Sequence, residues 1–424
     1  MLKLIQQISI CLLFCVSQQS IAADLRYNVG ASVAHYDNIN HDPSPISDES
    51  SYSIYGGVEL SEENASFSST LISQLRATQY TNDIEGDENN FKLSTENLWR
   101  INPGQLEWYI GDTFTQTAID SLVSDTPSNR QNVNLFSTGP NYIVRVNSTN
   151  NLRFEGRLEN FTYEENDDSN RLFLAARWNY ELNSATRLTL NDEATTVKFK
   201  GDSTDYNRND IYLGIDYVRG LNMFNAEYGV ARIDNDGAPN FDGNRYLIAF
   251  TNTRTKTSSI RFIFENTLTD TGSRLLSDLN NNFFITSSSG TTANDIYTEK
   301  SYNARYMKAL TNSTIALQLG SADRNYEIQT TLDEREKQAA IEYELHLKRT
   351  NRMTFDLRYY NTIYKDPAFN REDKDYRYSV KYLHEFMRNI NFTIRVISDE
   401  RISTIESEAY EDLRFILSLN YTTL

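Results

Sequence analysis

Few side chains in this chain are suited to acid–base work. There are four histidines: His35, His41, His346 and His384. His346 shares strand parity with Glu342, Glu344 and Lys348, so it points to a polar interior rather than an apolar surface. A histidine beside a carboxylate is the minimum for a general base, but no Ser–His–Asp constellation gathers around it. A histidine held in a polar wall network is the favoured reading. His384, next to Glu385, falls at the end of a strand segment. No zinc motif on a helix and no glycine-rich phosphate loop occurs. The sequence therefore assigns no catalytic residue, no metal ligand and no cofactor.

The remaining candidates are charges. Glu164, Glu165, Asp167 and Asp168 run together, as do Asp234 and Asp236, but no EF-hand-type calcium loop accompanies them. Hydration, or divalent bridging to lipopolysaccharide, is the favoured role. A second group falls on the polar side of alternating segments: Arg145, Arg177, Glu181, Asp216, Arg261, Glu342, Glu344, His346, Asp356, Arg358, Arg377, Lys381, Arg395 and Arg414. Mixed charges on one wall form salt-bridge ladders or line a selective aqueous path. On the same side, Phe173 and Tyr360 read as strand packing in preference to sugar stacking.

These charges need elements to carry them. In residues 171–190, Leu172, Leu174, Ala176, Trp178, Tyr180 and Leu182 alternate with Arg171, Arg177, Asn179 and Glu181. That gives a strand with one apolar and one polar face. A short turn at 183–186 brings the chain back through Leu188 and Leu190. The pattern repeats from Leu25 to Tyr421, with short turns alternating with longer polar loops. Asn102-Pro103-Gly104-Gln105 is a strong turn signal. About 20 strands fit (roughly 16–22), each with the roughly 9–11 residues of a tilted membrane crossing. This predicts an all-β fold: a closed antiparallel transmembrane barrel with short periplasmic turns and long extracellular loops. A soluble sandwich seldom needs so many strands, and a solenoid would show a fixed repeat period that is absent here.

Composition agrees. The 27 Tyr and 21 Phe against 7 Pro favour strands and interfacial girdles. A mean hydropathy of −0.57 is compatible with strands that spend half their positions on a wet face. The net charge of −17 argues against nucleic acid as a partner. Residues 1–23 read as a secretory signal peptide, with Lys3, a short apolar run at 8–16 and the small residues Ala22 and Ala23. Removing Lys3 with it takes −17 to −18. Residues 24–424 form the barrel domain, which carries no thiol because Cys11 and Cys15 both lie in the signal. The expected location is the outer membrane of a Gram-negative cell, with its lipid and lipopolysaccharide as partners. A barrel this wide leaves a channel unless a loop such as residues 273–294 folds inward.

Several stretches resemble the outer-membrane β-barrels of exosortase (PEP-CTERM) systems. They are WRINPGQLEWYIGDTF at 99–114, DTPSNRQNVNLFSTGPNY at 125–142, RYNVGASVAHYDNIN at 26–40 and LRFEGRLENFTYEENDDSNR at 152–171. The resemblance is most specific at residues 129–134 and fades beyond about residue 250. It implies a link to exopolysaccharide or surface-protein export, with exopolysaccharide and periplasmic export proteins as partners, and it supplies no catalytic residues. Independently, Pro127 and its polar neighbours read as an ordered turn at the barrel mouth, built from Asp125, Pro127, Asn129, Arg130, Gln131 and Asn132. Two functions stay open: a non-enzymatic polar conduit, or a barrel plugged by its loops that anchors export partners.

Overall fold

The structure, a computed structural model, describes residues 23–423 apart from 45–46, 83, 121, 125, 202, 238, 256, 271, 273–295 and 368–369. Twenty strands follow one another. They are β1 (Asp24–Tyr36), β2 (Glu49–Glu63), β3 (Phe67–Tyr80), β4 (Glu88–Asn102), β5 (Leu106–Ala118), β6 (Arg130–Arg145) and β7 (Asn150–Tyr163). Then come β8 (Ser169–Asn183), β9 (Thr186–Phe199), β10 (Tyr206–Arg219), β11 (Asn222–Asn235), β12 (Phe241–Thr255), β13 (Ser258–Asp270) and β14 (Ile296–Ala309). The last six are β15 (Ser313–Tyr326), β16 (Glu334–Lys348), β17 (Asn351–Tyr364), β18 (Glu372–Met387), β19 (Ile390–Ser403) and β20 (Tyr410–Thr422). Each strand pairs antiparallel with its neighbours in sequence. β20 closes on β1, from Asn28 opposite Thr422 to Tyr36 opposite Arg414. The result is a closed 20-stranded barrel with almost no helix. None of its helices among the described residues could cross a membrane.

One end carries connections of two to four residues and the other carries connections of five or more. Asparagine makes several of the tight turns. Asn64 Oδ1 accepts the N–H groups of Ser66 and Phe67, and Asn147 Oδ1 accepts those of Thr149 and Asn150. The side chain thus mimics a backbone turn. Gly104, at φ 78°, occupies the left-handed position of the 103–105 turn, under the guanidinium of Arg145.

The outer face is apolar where the strands cross their middle: Ile54, Leu158, Leu213 and Leu319 are each more than 60% exposed. Large aliphatic side chains ringing a barrel at such exposure need an apolar solvent. The aromatics Tyr27, Trp99, Trp108, Trp178 and Tyr421 sit toward the turn end of that band. The strands are 13–16 residues long rather than the expected 9–11. At about 3.3 Å per residue they exceed the hydrocarbon thickness even when tilted. The surplus lies at the loop end, where Asn134, Asn160 and Asn170 replace apolar residues on the outer face. Of the expected 183–186 turn, 183 and 186 belong to β8 and β9. The expected signal peptide lies outside the described residues except for Ala23, as does the expected constriction at 273–294.

The base of that long loop departs from a plain cylinder. The β12–β13 ladder stops at Tyr246 opposite Asn266, and the last residues of β13 part from β12 while staying paired with β14. They lean inward far enough to touch β11 although β12 lies between. Leu268 packs with Ala231, Ile233, Val197, Tyr206 and Ile296 as the main apolar cluster inside the ring. Gly243 makes the approach possible, because a Cβ there would sit 3.0 Å from that of Leu268. Beyond Leu268, the carboxylate of Asp270 meets Arg171 of β8 at 2.8 Å and Arg208 of β10 at 3.9 Å. All three side chains are nearly inaccessible, and Arg171 also lies 4.4 Å over the ring of Phe161. Removing one partner of a buried ion pair typically costs about 3–5 kcal/mol, because the other charge is stranded. Asp270→Ala should therefore lower the barrel's unfolding temperature, read by loss of the heat-modifiable folded band. Asp242→Ala, on the exposed outer rim, should leave it unchanged.

Candidate functional site: the lumen and its mouth

Register fixes which charges share the inner wall. From β7 to β12 they interlock. Arg177 reaches Glu155 at 2.7 Å and Glu193 at 2.9 Å. Arg245 reaches Glu227 at 3.2 Å and Asp210 at 3.3 Å, and its guanidinium stacks over Tyr212 at 3.9 Å. Tyr212 in turn donates to Glu193 at 2.8 Å. Glu193, Asp210 and Arg245, with Tyr109, Arg157, Phe173, Glu265 and Thr267, line a lumen cavity of about 490 Å³ that opens to bulk space. Farther round, Arg324 is held by Glu299 at 2.9 Å, and by Glu334 and Glu336. Most inward charges are thus partnered in strand-to-strand ladders.

Several inward cross-strand pairs set like charges directly opposite; in the second half of the barrel the cationic ones are Arg261 with Arg305, Arg358 with Arg377, and Lys381 with Arg395. Such pairs are destabilising. Arg358 is relieved by Asp356 at 2.9 Å, and Arg377 by Asp399. Arg395 donates to the Ser379 hydroxyl at 3.0 Å, and no carboxylate pairs with it, Lys381, Arg261 or Arg305 among the described residues. With Arg401, which pairs with Asp375 at 2.6 Å near the loop end, Arg377, Arg358, Arg395 and Lys381 make a cationic strip down the inner wall of β17–β19, in which Arg395 and Lys381 have no carboxylate partner among the described residues.

The mouth is narrowed by the chain itself. The β5–β6 connection (residues 119–129) is stapled by buried Asn129. Its Oδ1 accepts the Asp120 N–H at 2.9 Å and its amide donates to the carbonyls of Asp120 and Ser124. Pro127 starts a one-turn 3₁₀ helix that ends at Asn129. Gln131 bonds Ala118 on one side and accepts the N–H of Glu165 on the other. Asn132 pairs with Glu164, and Arg130 opens β6. Asp125 lies outside the described residues. The tip then crosses the opening, where Arg401 of β19 donates to the Ser124 hydroxyl at 3.2 Å. The β3–β4 connection touches the same loop through Glu85 and Ser128; burial, with Glu88 nearby, pushes the Glu85 carboxyl up. The β1–β2 connection folds in as well: His41, at φ 57°, stacks flat on Tyr410 at 4.0 Å.

The candidate lumen residues fall as follows. Arg145, Arg177, Glu181, Arg261, Glu344, His346, Arg358, Arg377, Arg395 and Arg414 all lie on the inner face by register. They do not converge on one spot. Arg145, Glu181 and His346 are at the turn end, where His346 contacts Glu344 at 2.6 Å and no third catalytic partner joins them. Arg414 sits higher, between Asp399 and Asp412. Sequence reading missed the Asp270–Arg171–Arg208 clamp, Arg401 and His41. No three-residue metal cluster occurs among the described residues.

No protein-family model matches the chain, and no curated protein matches it by sequence. Solved structures do match in shape. The siderophore receptor PirA from Pseudomonas aeruginosa aligns with 96% of this chain and 81% of its own, at TM-score 0.50 and 11% identity. PirA from Acinetobacter baumannii aligns over the same shares at TM-score 0.52 and 8% identity. The outer membrane protein OpdK from P. aeruginosa aligns over 94% of this chain and 99% of its own, at TM-score 0.41 and 10% identity. The fold of this chain is that of Gram-negative outer-membrane β-barrels.

Proposed function

We propose that the chain is a non-enzymatic outer-membrane pore that guides anionic polar solutes along the inner wall of β17–β19. The carrying observation is the pair Lys381 and Arg395, which face each other across two strands with no carboxylate partner. From β7 to β12, by contrast, the like-charged pairs Arg153–Arg177 and Glu193–Asp210 are each relieved by opposite charges beside them. Unmatched charge facing a water-filled lumen sets ion selectivity, and a ring of this size is wide enough to hold water. The resemblance to exosortase-associated barrels narrows the proposal to exopolysaccharide as the anionic cargo, with periplasmic export proteins as partners. The runner-up is a plugged anchoring barrel. It is favoured by the three inward-folded segments at the mouth.

Single-channel recording in a planar bilayer under a salt gradient separates the two. The pore reading expects steady conductance, an anion-selective reversal potential and block by an added acidic polysaccharide. Replacing Lys381→Glu with Arg395→Glu should shift the reversal potential toward cations while the folded band is retained. A silent bilayer from demonstrably folded protein would overturn the pore and leave the anchor.

A further inference from the structure

The strongest feature outside the lumen is on the lipid-facing side, where the local charge runs against that of the whole chain. Two adjacent rungs cross β14 to β18 on the outer face at the loop end. The upper rung holds Lys300, Asp323, Arg335, Ile363 and Glu372, each opposite the next. The rung below holds Tyr302, Ser321, Lys337, Asn361 and Lys374. Lys365 reaches over the rim to join them. Five cations thus meet two carboxylates in a protein of net charge −17.

The carboxylates are committed. Asp323 is bound by Arg335 at 2.8 Å and by Lys365 at 2.5 Å. Glu372 pairs with Lys374 at 3.3 Å. Lys337 makes no ion pair among the described residues, and the nitrogen of Lys300 bonds the Tyr302 side chain and rests near the rings of Phe264 and Tyr302, at 6.0 and 5.8 Å. Between Lys337 and Lys374, the buried Asn361 Oδ1 has no hydrogen-bond partner among the described residues, an unmet acceptor that a small side-chain rotation would turn to the patch. Glu400 of β19 bounds the patch on one side and Asn266 of β13 on the other.

Directly beneath, the wall turns apolar. Tyr359 and Tyr376 stand with rings 5.1 Å apart, and Leu317, Ile341, Leu357 and Tyr378 follow in the next rung as exposed side chains. Cations above, aromatic rings at the boundary and aliphatics below match a lipid with a phosphorylated sugar headgroup. Strands lie about 4.8 Å apart, so Lys337 and Lys374 sit roughly 10 Å from each other, a span that suits a disaccharide bearing separate phosphates. The outer face of β6–β10 at this height offers amides and one cation: Asn134, Asn160, Asn170, Lys198 and Asn207.

We propose that the loop-end outer wall of β14–β18 is a binding site for a phosphorylated glycolipid of the lipid A class, with Lys300, Arg335, Lys337 and Lys374 on its phosphates and Asn361 on its sugar. It rests on the outer-membrane placement and is independent of conduction. Purified full-length barrel in detergent is titrated with bisphosphorylated lipid A and, separately, with phosphatidylglycerol, and bound lipid is read by native mass spectrometry. Wild type should retain lipid A in preference to phosphatidylglycerol. Lys337→Glu with Lys374→Glu should weaken lipid A retention by at least about tenfold. Arg232→Glu on β11 should leave it unchanged, and Lys337→Arg with Lys374→Arg should preserve it. The heat-modifiable band verifies folding of each variant. Equal retention by the charge-reversed protein, or no preference for lipid A over phosphatidylglycerol, would overturn the site.

Discussion

Everything in this structure follows from closing the ring. A strand edge in lipid would leave a row of N–H and C=O groups with no partner, at several kcal/mol each. The pairing of β20 with β1 removes both edges, and Thr423 adds a reciprocal pair of hydrogen bonds to Tyr27. With the backbone satisfied internally, the two faces are free to take opposite solvents. The outer face carries exposed leucine and isoleucine; the inner carries arginine and glutamate. A one-residue slip in any strand would exchange them.

Closure also creates the interior problem that the charges answer. A ring of 20 strands is too wide to be filled by its own side chains. Its inner wall is therefore laced with ion pairs in which most guanidiniums hold carboxylates on their own or nearby strands, as Arg245 of β12 does for Glu227 of β11 and Asp210 of β10. Where segments enter the mouth, arginine again holds them: Arg171 and Arg208 hold Asp270, and Arg401 holds Ser124. Lys381 and Arg395, within the cationic strip along β17–β19, are an exception to this pairing.

Much of this was legible before any coordinates. Period-two alternation such as Leu172 to Leu182 sorts side chains between faces, because a strand has no other way to place them. Asparagine, proline and glycine mark the tight turns. Strand ends were less legible, since polar residues on the outer face above the membrane read as loop. The inward contacts were not legible at all. Asp270 and Arg171 are 99 positions apart in the numbering, and they meet only because β13 peels from β12 and bends across a curved wall. The like-charged pairs were hidden for a related reason: Lys381 and Arg395 were each assigned inward by parity, but only register sets them opposite.

The central claim is that chain segments folded into the lumen shape its mouth. Spin-label distance measurement between Val123→Cys and Ile402→Cys tests it most directly, with Cys11 and Cys15, the only native cysteines, replaced if still present. If the 119–129 segment crosses to Arg401, the pair should show a single distance below about 25 Å. If it stands upright over β5 and β6, the distribution should centre beyond about 30 Å, the span of wall from β5 through β4, β3, β2, β1 and β20 to β19 at about 4.8 Å per strand. The longer distance would contradict the account.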